Sequence, residues 1–110
     1  MRVLILSQYF WPESFRITSV ATTLRDAGCQ VVILTGQPNY PGGEIFEGYS
    51  AYAVATEAYE GLDVLRVPIV PRGTGSALRL ALNYVSFVVS AVIFGPWLLR
   101  SRPIDAIFVY

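Results

Sequence analysis

A chain of 110 residues with 54% hydrophobic content has room for one domain with one buried sheet. Eight basic residues balance eight acidic ones without a run of either sign, so no electrostatic footprint for nucleic acid or an anionic membrane surface is expected. A single cysteine, Cys29, excludes an internal disulfide, and the lack of any histidine all but excludes a zinc site of the usual ligand sets.

The chain opens with Val3, Leu4, Ile5 and Leu6, a short continuous apolar run that suits a strand covered on both faces. This run is too short for a secretory signal and lacks a small-residue cleavage site, so the expectation is a cytoplasmic chain. Gln8 to Ser14 form a loop of amide, aromatic and carboxylate side chains around Pro12. A helix follows from about Phe15, with Ser14 as N-cap, Ile17, Val20, Ala21 and Leu24 on its apolar face, and Gly28 as its stop. Val31 to Leu34 repeat the apolar run, which makes a βαβ unit, and Cys29 beside that strand suits packing.

From Thr35 to Ser50, TGQPNYPGGEIFEGYS carries four glycines and two prolines and reads as a long loop of the kind that more often than not has a function. Tyr52, Val54 and Thr56 could line one side of an edge strand. Glu60-Gly61-Leu62-Asp63 reads as a turn, and Val64 to Val67 as a strand ended by Pro68 and Pro71. Leu80 to Leu99 is free of charge and long enough to span a membrane. Ser76, Arg79, Asn83, Ser86 and Ser90, however, recur at helical spacing as one narrow polar stripe. That stripe favours a helix buried in the domain with a thin polar edge exposed, or one lying on a bilayer surface, over a single-span anchor. Gly95-Pro96 should kink or end the helix late. Asp105 to Tyr110 reads as a further buried strand, cut at its carboxyl end, so that the chain is expected to be part of a longer protein.

In open α/β sheets ligands sit outside the carboxyl ends of the strands, which makes the first loop the first candidate site. It has no glycine between Ser7 and Ala27, so a dinucleotide-binding turn is not expected there, and no phosphate-binding P-loop is present. Arg16 stands where a helix dipole opposes a cation. Either it pairs locally with Glu13, or Arg16 and the free helix N–H groups receive an anion such as a phosphate while Glu13 holds the guanidinium. In the long loop Gln37, Asn39 and Tyr40, braced by Pro38, Pro41, Gly42 and Gly43, suit sugar hydroxyls or ordinary turns. Tyr9, Phe10 and Trp11 form either core or a ligand platform.

Taken together, RVLILSQYFWPESFR, QVVILTGQPNYPGGEIFEGY and LDVLRVPIVPRG ahead of an apolar helix resemble the amino-terminal half of family 4 glycosyltransferases. Within these they most resemble the branch that builds bacterial cell-surface polysaccharide, which includes fucosamine and colanic-acid transferases. The resemblance covers essentially all 110 residues. It implies an α/β, Rossmann-like parallel sheet with flanking helices, the truncated acceptor half of a GT-B enzyme that transfers sugar with retention from a nucleotide-sugar donor and needs no metal or other cofactor. The donor nucleotide and the paired glutamates of the family belong to a carboxyl-terminal domain outside these residues. Many relatives carry Gly-Gly in the first loop where this chain has Ser14-Phe15 followed by Arg16, which shifts the expected phosphate contact toward the arginine. The histidine that relatives commonly use lies beyond the fourth strand, and none is present here.

The expectation is therefore an incomplete glycosyltransferase acceptor domain over residues 1–110, inactive alone, working at the inner face of the membrane on a lipid-linked or polysaccharide acceptor. Gln8, Tyr9, Glu13, Arg16, Gln37, Asn39 and Tyr40 are its candidate substrate contacts. Catalytic residues are not identified, and no metal or nucleic acid is expected. Poor solubility is expected from an exposed surface that includes Tyr9, Phe10 and Trp11. The alternative is a stand-alone α/β binding module without catalysis.

Overall fold

Seven elements follow one another along the chain: β1 (Arg2–Leu6), α1 (Ile17–Asp26), β2 (Gln30–Gly36), β3 (Ala55–Tyr59), β4 (Leu62–Val67), α2 (Ala77–Leu98) and β5 (Ala106–Val109). Of the residues expected to line the edge strand only Thr56 lies in β3, Tyr52 and Val54 preceding it. The structure is a computed structural model that describes residues 1–13, 16–39, 42–73 and 76–110. The expected N-cap Ser14, along with Phe15 and Tyr40, lies outside the described residues. One five-stranded sheet runs in the order β3-β4-β2-β1-β5. Its four inner contacts are parallel except for the β3–β4 hairpin at one edge. The fold is a mixed α/β sheet with helices, compatible with a Rossmann-like arrangement.

The continuous apolar runs exist because both faces of the sheet are covered. Val3, Ile5, Val31, Ile33, Leu62 and Val64 point to one face, where Ile17 and Ala21 of α1 and Phe10 of the first loop pack on them. The alternate residues Leu4, Val32, Leu34, Leu65 and Val67 point to the other, where Phe87 and Leu98 of α2 close the layer. Cys29 packs at the margin of the α1 side. The β3–β4 turn is shorter than expected. Tyr59 pairs with Leu62, so only Glu60 and Gly61 form the loop, both at positive φ (48° and 81°), as a two-residue hairpin of matching twist requires.

Several expectations are corrected. Phe10 is fully buried and Trp11 stacks on Tyr59 with ring centroids 4.2 Å apart, so these aromatics belong to the core rather than to an exposed patch. β5 is exposed along its whole length, because it is an edge strand paired only with β1 and neither helix extends over it. α2, by contrast, ends late as expected, running through Gly95-Pro96 and stopping two residues later at Leu98.

The largest correction concerns α2, whose polar stripe faces inward. Asn83 is 0% and Ser90 9% exposed, whereas Val88, Val92 and Ile93 on the opposite side are 59%, 69% and 61% exposed. The reason lies in the irregular segment that follows β4. Ser90 Oγ donates to Pro68 O at 2.5 Å, Ser86 Oγ accepts from Val70 N at 2.8 Å, Asn83 Nδ2 donates to Val70 O at 2.8 Å, and Arg79 Nε donates to Pro71 O at 2.6 Å. Buried backbone groups outside a ladder need partners, and the stripe supplies them at one per helical turn.

The sheet itself holds a buried charge. Arg66, on the α1 side of β4, is 0% exposed. Its Nε meets Glu57 Oε1 at 3.0 Å, one terminal nitrogen donates to Gly36 O at 2.8 Å, and the other donates to Trp11 O. The guanidinium also lies 5.0 Å from the centre of the Tyr49 ring, whose hydroxyl donates to Glu57. Glu57 is 29% exposed and can turn to water, so removing Arg66 chiefly leaves two carbonyls unmatched. Arg66→Met should lower the unfolding free energy by about 2–4 kcal/mol in a denaturant titration. A loss under about 1 kcal/mol would contradict this role.

Candidate functional site

Three loops meet at the carboxyl ends of β1, β2 and β4, the position at which open α/β sheets bind ligands. The first loop (residues 7–13) is tied to the second by Glu13, which is 2% exposed. Its carboxylate accepts from Phe10 N at 3.2 Å and from Asn39 N at 2.8 Å. Thr35 Oγ1 donates to Gln8 O at 3.1 Å across the same gap. The third loop joins through Arg72, whose backbone N donates to Asn39 Oδ1 at 2.9 Å, and through Gly73, whose N donates to Gly43 O at 2.9 Å. At Gly43 (φ +82°) an added Cβ would fall 1.8 Å from Gly73 O, so the second and third loops can touch only with glycine there.

Asn83 is the hub beneath these loops. Its Oδ1 accepts from Gln8 Nε2 at 2.7 Å and from Tyr9 Oη at 3.0 Å, while Nδ2 is held by Val70 O. Arg72 in turn donates to Tyr9 Oη at 2.5 Å, with its guanidinium 5.5 Å from the ring centre. Burial raises the Tyr9 phenol above its ordinary pKa, and Arg72 opposes that rise without cancelling it. Tyr9 therefore keeps its proton for Asn83 while accepting from Arg72. A cation is thus mounted on an aromatic rim whose orientation is set from α2.

The structure brings together Gln8, Tyr9, Glu13, Gln37 and Asn39. Gln37 and Asn39 are turned into the chain rather than outward. Gln37 Nε2 donates to Ala53 O at 2.8 Å and Asn39 Nδ2 donates to Gln37 O at 3.1 Å. Gln37 Oε1 is buried with no hydrogen-bond partner among the described residues. Arg16 stands apart. It occupies the N-cap position of α1 rather than its first turn. Its exposed side chain lines an open groove of about 610 Å³ with Ser19, Val20, Thr23 and Leu24, along the helix rather than over the strand ends. The local alternative for Arg16 loses its motive, since the Glu13 carboxylate is engaged by backbone N–H groups inside the loop cluster. Tyr40 lies outside the described residues. Among the described residues no group of three His, Cys, Asp or Glu side chains could hold a metal ion.

Arg66, Arg72 and Asn83 were not singled out by the sequence as site-forming. A signal existed for Arg66, a lone charge in the run Val64-Leu65-Arg66-Val67, because a charge inside a doubly covered strand must be paired. Arg72 offers no such signal beyond its place after the strand-ending prolines.

The raised Tyr9 pKa has a signed consequence. A folded state that holds the phenolic proton more tightly than the unfolded chain is stabilised in full below about pH 10 and loses that stability as pH rises through the folded pKa. Burial does the same to Tyr49. Denaturant titrations across the alkaline range should therefore show stability falling with pH above about 10, with Tyr9→Phe shallower by up to about one proton. An identical slope in the variant would contradict the buried, protonated Tyr9. No known protein family and no curated protein matches this chain.

Proposed function

We propose that this chain is the acceptor-side part of a retaining GT-B glycosyltransferase, which moves a sugar from a nucleotide-sugar donor to a lipid-linked or polysaccharide acceptor in cell-envelope polysaccharide synthesis. The observation that carries the reading is the convergence of its three diagnostic stretches. Gln8, Tyr9 and Glu13 of the first, Asn39 and Gly43 of the second, and Arg72 and Gly73 of the third are joined by direct hydrogen bonds at the strand ends.

In this reading the 110 residues orient substrate and do not themselves break bonds. Tyr9 and Arg72 form a polar aromatic rim suited to a sugar ring or a pyrophosphate link, and Arg16, apart from that rim at the exposed start of α1, is the candidate for phosphate charge outside it. A guanidinium placed there gains strength as charge grows on the departing phosphate. The donor nucleotide and the groups that stabilise the transition state belong to the second domain implied by the resemblance.

One observation favours a second reading, a binding module without catalysis: Gln37 and Asn39 spend their amides on the chain's own backbone, leaving fewer side chains to grip a sugar. Transfer assays separate the two. The complete gene product, supplied with labelled nucleotide sugars and membranes of the producing cell, should move label into a lipid-extractable or polysaccharide fraction. Arg16→Ala should lower the turnover number by roughly tenfold to a thousandfold with little change in melting temperature, the scale of losing one donor to a developing anion. No transfer from any nucleotide sugar would favour the binding module. Unchanged turnover in the variant would remove Arg16 from the site.

A further inference from the structure

The outer face of α2 has no partner in the fold. From Leu78 to Trp97, about 28 Å of helix, it presents Leu78, Val85, Val88, Val92, Ile93 and Trp97 to the outside, each more than half exposed. Only 17% of the helix's most apolar window is buried. A continuous face of this kind differs from the scattered single hydrophobes that need no explanation.

The charge around it is one-sided. Balanced over the whole chain, charge is not balanced along this helix: no acidic residue stands between Asp63 and Asp105, while Arg79, Arg100 and Arg102 flank its ends, Arg66 being buried on the other face of the sheet with Glu57. Arg79 lies at one end of the apolar face and Arg100 at the other, with the Arg100 guanidinium 5.1 Å from the centre of the Trp97 ring. Cations and an indole at the ends of an uncharged helix suit the boundary between headgroups and acyl chains.

We infer that α2 lies in the surface of a bilayer carrying anionic lipid, with its apolar side in the acyl boundary and the domain above it. A second copy of this chain is a poorer occupant. Two copies packed through this face bring Arg79 or Arg100 of one against an arginine of the other, with no carboxylate on the segment to separate them. The inner face opposes a membrane span, because Asn83, Ser86 and Ser90 are bonded to the Pro68–Val70 backbone, and withdrawing the helix would strand those groups. The inference stands apart from the sugar-transfer reading, so either can fail alone.

Flotation of the chain with phosphatidylcholine vesicles containing phosphatidylglycerol tests it, since aggregated protein sinks while bound protein rises. The chain should float. Val88→Glu with Val92→Glu, both at exposed positions, should reduce partitioning about tenfold or more. Arg100→Gln should reduce it about fivefold on anionic vesicles only. Circular dichroism of the variants confirms that they fold. Wild-type protein that sinks overturns the proposal. So does a concentration-dependent dimer that the glutamates dissolve without any flotation, and so does resistance of the vesicle-bound chain to alkaline carbonate, which would mark a spanning helix.

Discussion

The backbone between Pro68 and Gly73 runs under a helix without belonging to any ladder, and its carbonyls must be satisfied there. That requirement sets the orientation of α2. Asn83, Ser86 and Ser90 face inward because Pro68 and Val70 need them, with Arg79 reaching Pro71 from the exposed helix start, and the apolar remainder of the helix then has only the outside to face. The same Asn83 that holds Val70 also holds Gln8 and Tyr9, so the position of the first loop depends on the same helix. A single polar stripe thus fixes both the covered and the uncovered side of the molecule.

Above this layer the loops are joined by buried charge. Glu13 spans from the first loop to Asn39, and Arg66 draws Trp11, Gly36 and Glu57 to one point beneath the first loop. Such interior charges add little net stability compared with an apolar packing of the same shape, yet they are costly to break singly, so they favour one arrangement of the loops over its alternatives. The outcome is a preset surface at the strand ends, with Tyr9 and Arg72 at its rim. A scaffold that orders its loops before ligand arrives reduces the entropy that binding must overcome.

The strands and α1 were legible because their signals are local. Val3–Leu6 and Val31–Leu34 are doubly covered and read so, and Ile17, Val20, Ala21 and Leu24 define one helical face wherever the sheet lies. α2 was legible as a helix but not in its facing, since spacing shows that a stripe exists and not which side meets protein. The clue lay in Pro68 and Pro71, which place unladdered carbonyls next to the helix. At the site, Gln8, Tyr9 and Glu13 were found because an aromatic, amide and carboxylate loop after a first strand is already in the right place. The inward turn of Gln37 and the parts played by Arg72 and Asn83 at the site rest on contacts 16 to 75 positions apart, for which one sequence carries no sign.

The inward facing of the polar stripe can be measured directly by thiol labelling. In a Cys29→Ser background, Val88→Cys and Ser90→Cys place a thiol on opposite sides of α2. With a maleimide in dilute, lipid-free buffer, Val88→Cys should label as fast as a free thiol, and Ser90→Cys at least about a hundredfold slower, the protection expected of a group reached only through local opening. Equal rates at the two positions, or faster labelling at Ser90→Cys, would contradict it.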